Sequence, residues 1–234
     1  MRNYLFRVSR DMKNKLNKIK GVLFDLDGTL LDTSVDLLQS LNLVLANHGL
    51  PPVSLSQKLR SVLGRGGRRI VNSVFQFSDT DPRLEVLTSE FNIVYQKQLH
   101  AQAQFFNGIP GVLMWLDRHY LPWGIVTNRA KDFTLPFPKH LDLLSKTSCV
   151  ICGDDVKHPK PDPEPLLQAA QCLQLKPDDC IFIGDAEEDL IAGVKAQMPT
   201  VLAAYGFSAE EAQMKIMPDY IIHSPPELIR LLQD

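Results

Sequence analysis

Short, almost wholly apolar runs recur along the chain: Gly21–Phe24, Trp123–Thr127, Cys149–Cys152, Cys180–Gly184, Thr200–Ala204 and Tyr220–Ile222. Runs of this length and composition read as strands buried on both faces, because a half-exposed strand alternates apolar with polar residues. In the later part of the chain they alternate with stretches of helical spacing: Val112–His119, Pro163–Leu173, Glu187–Ala196 and Pro226–Leu232. This alternation predicts an α/β fold, a doubly wound parallel sheet covered by helices on both faces. Ligands bind such a sheet beyond the carboxyl ends of its strands. With 234 residues and 44% hydrophobic composition, the chain has apolar surface for one sizeable core or for a core plus a small second domain.

One long stretch breaks the alternation. After the first run, Thr33 or Ser34 is placed to cap a helix through Val35, Leu38, Leu41 and Leu45. His48-Gly49-Leu50-Pro51-Pro52 stops it. Helical spacing follows over Ser54–Leu63, Gly67–Phe77 and Asp81–His100, with Leu84, Leu87, Phe91, Val94 and Tyr95 recurring along the last. The expected organisation is a small α-helical domain over residues 34–105, inserted between core segments 20–33 and 106–234. The second core segment opens with a loop, Asn107–Gly111.

The ends of the apolar runs carry the chemistry. Gly21–Phe24 leads into Asp25-Leu26-Asp27-Gly28-Thr29. An unpaired buried carboxylate is costly or takes up a proton, so two acids at a strand end call for a cation, a positive partner or a reaction. Thr127-Asn128 closes the second run with a hydroxyl and amides suited to an oxyanion. In His158-Pro159-Lys160-Pro161-Asp162-Pro163 a lysine stands between two prolines that restrict the backbone, and Asp162-Pro163 suits a helix start. Cys180–Gly184 ends in Asp185, with Glu187, Glu188 and Asp189 entering the next helix. Asp25, Asp27 and Asp185 gathered at one point repel by about 4 kcal/mol per pair at roughly 4 Å and an effective dielectric near 20. A hard divalent cation relieves this, and an all-oxygen donor set suits Mg²⁺.

The string Asp25 to Thr33, followed in order by Thr127, Lys160 and Asp185, resembles the motifs of the haloacid dehalogenase superfamily over about residues 20–232. The resemblance implies a Rossmann-like core, a mobile helical cap and hydrolysis of a phosphate monoester. It implies Asp25 as the nucleophile and Asp27 as general acid and then base. Gly28 keeps the turn open for backbone N–H groups to approach the phosphate. Thr127 and Asn128 bind phosphoryl oxygens, and Lys160 offsets the charge on nucleophile and phosphate. The implied Mg²⁺ ligands are the Asp25 side chain, the Asp27 carbonyl and Asp185, with Asp189 behind them. In the cap, Leu63-Gly64-Arg65-Gly66-Gly67-Arg68-Arg69 combines glycines with cations, and Arg65 and Arg68 are candidates for an anionic substrate group. Within the superfamily the chain is similar to phosphoglycolate phosphatases and N-acetylmuramic acid 6-phosphate phosphatases. The first expected substrate is 2-phosphoglycolate, and the second is N-acetylmuramic acid 6-phosphate or another sugar phosphate. A phosphomutase shields its phospho-aspartate from water, and a non-catalytic phosphate-binding protein loses an acid or the lysine; none is missing here.

Whole-chain properties bound the setting. A net charge of −2 gives no case for nucleic-acid or membrane attraction. No apolar run reaches the roughly 18–20 residues that span a bilayer. Four cysteines are too few and too irregular for a disulfide scaffold, and Cys149-Val150-Ile151-Cys152 reads as buried thiols in a strand. The expectation is a cytoplasmic monomer or homodimer acting on a small phosphorylated metabolite. Residues 1–20 carry seven Lys/Arg against one Asp and no signal-like apolar segment, so residues 1–19 read as a frayed basic extension with Met12 as an alternative start.

Overall fold

The computed structural model describes Leu16 and residues 18–233; most of the expected basic extension over residues 1–19 lies outside them. Strand β1 (Gly21–Phe24) is buried along its whole length. The chain then forms β2 (Leu31–Asp32), enters helices α1 (Ser34–Asn47), α2 (Gln57–Arg60), α3 (Gly67–Phe75) and α4 (Pro82–Lys97), and returns through β3 (Gln104–Phe105). β2 and β3 pair antiparallel, Leu31 opposite Phe105, so the helical insertion leaves and re-enters the core through one short ribbon. There follow α5 (Ile109–Arg118), β4 (Trp123–Val126), β5 (Cys149–Ile151), α6 (Glu164–Cys172), β6 (Cys180–Gly184), α7 (Glu187–Lys195), β7 (Thr200–Ala203), α8 (Ala209–Lys215), β8 (Tyr220–Ile222) and α9 (Pro226–Gln233).

The main sheet runs β5-β4-β1-β6-β7-β8, each neighbour pair parallel. This is the doubly wound order, with its switch point between β1 and β6. The first motif therefore ends at the centre of the sheet, beside the end of β6. Apolar clusters pack on both faces of the sheet, one around Phe24, Trp123 and Ile183 and the other around Leu23, Val126 and Phe182. The insertion has its own cluster, with Leu41, Val44, Ile70, Leu84 and Phe91 at 0–1% exposure, which Phe207 of the core joins. Among the described residues no helix is long and apolar enough to cross a membrane. Cys149 and Cys152 are free and buried in and just after β5, and burial pushes their thiols up to about 12 and about 11.

Element ends differ from the sequence pattern for local reasons. Thr33 stands at the N-cap of α1 but makes no capping bond; Asp32 accepts from the Ser34 N–H instead (3.0 Å). α2 is one turn rather than the longer expected helix, begun by Ser56 accepting from the Leu59 N–H and followed by the glycine-rich turn. α3 stops at Phe75 because Gln76 turns left-handed (φ 55°) and the Asn72 amide bonds both backbone groups of Phe77. α5 begins at Ile109, within the expected loop. Pro110 is tolerated there because the first turn leaves its N–H position unbonded anyway, and Gly108 (φ 98°) supplies the turn into it. The ribbon β2–β3 is too short to leave a periodic pattern.

His100, just past α4, is 2% exposed with φ 58°. Burial, reinforced by the nearby Arg129, pushes its imidazole down to about 4. The unfolded chain takes up this proton as pH falls through about 6.5 while the folded chain resists until about 4, so this residue makes the protein less stable in acid. We expect His100→Asn, which suits the left-handed backbone, to remove that contribution. The stability difference between wild type and variant, from urea unfolding, should grow in favour of wild type by on the order of 3 kcal/mol between pH 4 and 7.

Candidate active site

The carboxyl ends of β1, β4 and β6 converge on one cluster. Asp25 follows β1, its N–H bonded to the Ile183 carbonyl of β6 (2.8 Å), which fixes its backbone against the sheet. Lys160 reaches this point from the loop before α6. Its ammonium donates to Asp25 Oδ1 (2.7 Å), Asp189 Oδ1 (2.7 Å) and the Val126 carbonyl that ends β4 (2.9 Å). The lysine side chain is 3% exposed and its two acidic partners 10% and 2%. The two prolines leave the Lys160 backbone to be held by Asn128, whose side chain accepts from the Lys160 N–H and donates to its carbonyl, each at 2.9 Å. The Asn128 side-chain amide is therefore committed to the lysine loop, while the residue still lines both cavities beside the cluster.

Asp185, 2% exposed, completes the cluster. Ser208 N–H donates to its Oδ2 (2.9 Å), and the Thr29 hydroxyl lies 3.4 Å from its Oδ1. The carboxylate is sandwiched between two glycines. A β-carbon on Gly28 would sit 2.5 Å from Asp185 Oδ2, and one on Gly206 would overlap the Asp185 side chain. Gly28 also has φ 90°, a conformation that favours glycine. Its own N–H is spent on the Leu31 carbonyl (2.9 Å), so its contribution is this close approach.

Asp25, Asp185 and Asp189 each bring a carboxylate oxygen to within 4.8 Å of one another. One ammonium does not neutralise three buried acids. Burial above all, with Asp189 and Asp185 adding to it, holds the Asp25 carboxyl well above the usual range despite Lys160. Burial and Asp189 push Asp185 up to about 7. Lys160 titrates above its ordinary range because Asp189 and Asp25 outweigh the burial that would lower it. An all-oxygen set with unbalanced negative charge fits a hard divalent cation. The Asp189 oxygens are both engaged, Oδ1 by Lys160 and Oδ2 by the Ala186 N–H at the start of α7 (3.0 Å), which makes it the partner of the lysine.

Asp27 is held differently. Thr33 Oγ1 donates to its Oδ1 (2.7 Å), which is why that hydroxyl does not cap α1. Arg129 donates to the same oxygen through Nη2, in a pair whose side chains are 8% and 11% exposed. The arginine is fixed in turn by the Phe133 carbonyl (2.9 Å) and lies over the Tyr95 ring (5.4 Å). Oδ2 of Asp27 takes no part in these bonds. The Thr127 hydroxyl, 3% exposed, accepts from the Arg129 N–H (3.1 Å).

Two cavities meet here. One of about 170 Å³ is lined by Asp25, Thr127, Lys160, Asp185 and Arg69; the other, of about 240 Å³, lies toward the insertion between α3, α4 and the loop after β4. Asp27, Gly64, Arg65 and Asn128 line both. Arg65, whose Nη2 pairs with Glu211 (2.5 Å), thus stands at the junction. Arg68 lines neither. Its guanidinium turns outward to the Asp79 carbonyl (2.6 Å) and Glu85 (3.3 Å), and Arg69, beside Glu188 (3.1 Å), faces the smaller cavity in its place. Arg129 and Arg69 carried no distinguishing pattern in the sequence beyond adjacency to Thr127-Asn128 and to the glycine-rich turn.

The family model for haloacid dehalogenase-like hydrolases matches residues 22–203. The chain is 37% identical to an N-acetylmuramic acid 6-phosphate phosphatase of Pseudomonas aeruginosa, over 93% of this chain and 96% of that protein. It is 36% identical to a phosphoglycolate phosphatase of Xanthomonas campestris pv. campestris, over 89% and 94%. A haloacid dehalogenase-like hydrolase of Streptococcus pneumoniae shares the fold with a TM-score of 0.75 at 24% identity, over 91% and 98% of the two chains. The chain belongs to the haloacid dehalogenase-like hydrolase family.

Breaking a buried ion pair strands the remaining charge, typically at about 3–5 kcal/mol. We expect Arg129→Met to lower the free energy of unfolding by that order in urea titrations, and Arg129→Lys to recover part of it.

Proposed function

We propose that this protein is a Mg²⁺-dependent phosphatase that hydrolyses a small phosphate monoester through an aspartyl-phosphate on Asp25. The observation that carries the reading is the convergence of Asp25, Lys160 and Asp185 at the floor of the smaller cavity, with Asp27 at its rim. Asp25 attacks phosphorus and the bond to the leaving oxygen breaks. Asp27, through Oδ2, gives that oxygen its proton. Asp27 then takes a proton from water, which attacks the phosphorus of the phospho-aspartate, releasing inorganic phosphate and restoring Asp25. Lys160 opposes the charge that burial makes costly on Asp25. Thr127, Arg65 and Arg69 line the smaller cavity as donors for the phosphoryl oxygens, and Arg68 lines neither cavity. The Asp25 and Asp185 side chains with the Asp27 carbonyl, which lies toward Gly64, would hold the Mg²⁺. When bound it supplies charge neutralisation for the phosphoryl group.

Residues 34–105 act as a cap that closes over the site and excludes water. Arg65, paired with Glu211, faces the point where the two cavities join. The two kinds of relative supply the two candidates, 2-phosphoglycolate and N-acetylmuramic acid 6-phosphate.

Phosphate release in the presence of Mg²⁺ tests the reaction. Asp25→Asn is expected to abolish release while its melting curve stays cooperative; turnover near the wild-type rate would sink the nucleophile assignment. Mg²⁺ should also raise the melting temperature, because a ligand of the native state at about 100 times its dissociation constant adds roughly 2.7 kcal/mol. Asp185→Asn should weaken that response.

A further inference from the structure

Ser208 stands where a helix-capping residue belongs, immediately before α8, yet its hydroxyl makes no capping bond. A serine at that position ordinarily satisfies one of the free N–H groups of the first turn. This one donates instead to the Ser61 carbonyl of the insertion (2.9 Å), at the end of α2. Through its backbone the same residue faces the other way, where its N–H donates to Asp185 Oδ2 (2.9 Å). A single residue, 1% exposed, thus joins the inserted helices to a carboxylate assigned to the Mg²⁺.

Its neighbours repeat the pattern. Phe207 belongs to the apolar cluster of the insertion, and the Arg60 guanidinium lies over its ring (5.4 Å). Glu210 accepts from the Gln57 amide (2.9 Å), and Glu211 pairs with Arg65. On the inner side, Gly206 lies so close to the Asp185 side chain that no β-carbon fits between them. α8 does not need the insertion to hold it, because Ala209 and Ala212 pack with Leu190 and Leu202 of the core. Residues 206–211 are therefore anchored in the core and carry one face toward the insertion and another toward Asp185.

The chemistry of the cation gives this junction a consequence. Mg²⁺ demands near-ideal octahedral geometry, so its affinity depends on where a carboxylate points. The Ser208 N–H sets the direction of Asp185 Oδ2, and the Ser208 side chain is held by the insertion. We propose that Ser208 is a positioning residue that couples Mg²⁺ binding to docking of the inserted helices on residues 207–211. Docking aims Asp185, and a cation on Asp185 favours the docked arrangement by the same factor, because linkage between two binding events is reciprocal. This inference rests on the Mg²⁺ site and the cap of the phosphatase reading and adds a means of regulating that site.

The test uses the full chain with Mg²⁺ alone and no ester. Amide hydrogen exchange over residues 61–67 reads the docking, and isothermal titration calorimetry reads the Mg²⁺ dissociation constant. Mg²⁺ should slow exchange over residues 61–67 of the wild type. Ser208→Ala keeps the N–H to Asp185 and loses the bond to Ser61. It should weaken Mg²⁺ binding about two- to tenfold, the span of one hydrogen bond, and diminish the slowing. Glu211→Gln removes the ion pair with Arg65 without touching Asp185, and it should move both readings in the same direction. A merely structural role for these residues would lower the melting temperature and leave the dissociation constant where it was. Exchange indifferent to Mg²⁺ while calorimetry shows binding, or a wild-type dissociation constant in either variant, would overturn the coupling. Absence of Mg²⁺ binding to the wild type would instead overturn the metal site on which it rests.

Discussion

The buried ammonium of Lys160 is the interaction on which the rest of this site depends. Acids from two different strand ends can share a desolvated corner only if a positive charge is built into it. Lys160 supplies that charge from a third place in the chain, anchored by Asn128 at its backbone and by the Val126 carbonyl at its tip. Its bonds to Asp25 and Asp189 span 135 and 29 residues of sequence, so they exist only once β1, β4 and β6 lie side by side. The sheet order and the electrostatics of its carboxyl edge are therefore one constraint. The sheet brings the acids together, and the lysine makes their proximity tolerable without satisfying them in full.

That residual imbalance is what separates a reactive site from an inert ion pair. A structural cluster would be expected to balance its charges, because every uncompensated buried charge costs stability. Here three carboxylates face one ammonium, and glycines at 28 and 206 let the backbone crowd Asp185 rather than cushion it. The surrounding apolar clusters offset this local cost.

The parts of this arrangement visible in the sequence were those where an apolar run ends in an unexpected polar residue. Asp25, Asp27, Asp185 and the proline-flanked Lys160 all break a local pattern. The parallel α/β class was equally legible, since apolar runs alternate with helical spacing; the order of the strands in the sheet, and the short helix Ala209–Lys215, were not. Other features depend on tertiary geometry that no local pattern encodes. Arg129 in a loop looks like any solvated cation until its burial beside Asp27 is seen. Successive residues of a helix point about 100° apart, so a starting residue at Gly67 decides that Arg69 rather than Arg68 faces inward. Tyr95 fitted the apolar stripe of α4 well enough to pass as core; periodicity gives its face but not its stack on Phe133 or the guanidinium of Arg129 over its ring. Thr33 satisfied the preference for a capping residue, and only the position of Asp27 diverts its hydroxyl.

The ribbon of β2 and β3 has a mechanical consequence. Thr33 is the first residue beyond it on the way into the insertion, and Tyr95, near the way out, presses on Arg129. Asp27 is thus gripped at one oxygen by two hands, one moving with the insertion and the other braced by it. On the proposed reading, in which the helices close over the site and Asp27 carries the proton, a swing about so short a ribbon would pull directly on that side chain. Closure of the site and readiness of its acid would then be set by the same displacement, with no separate signal between them.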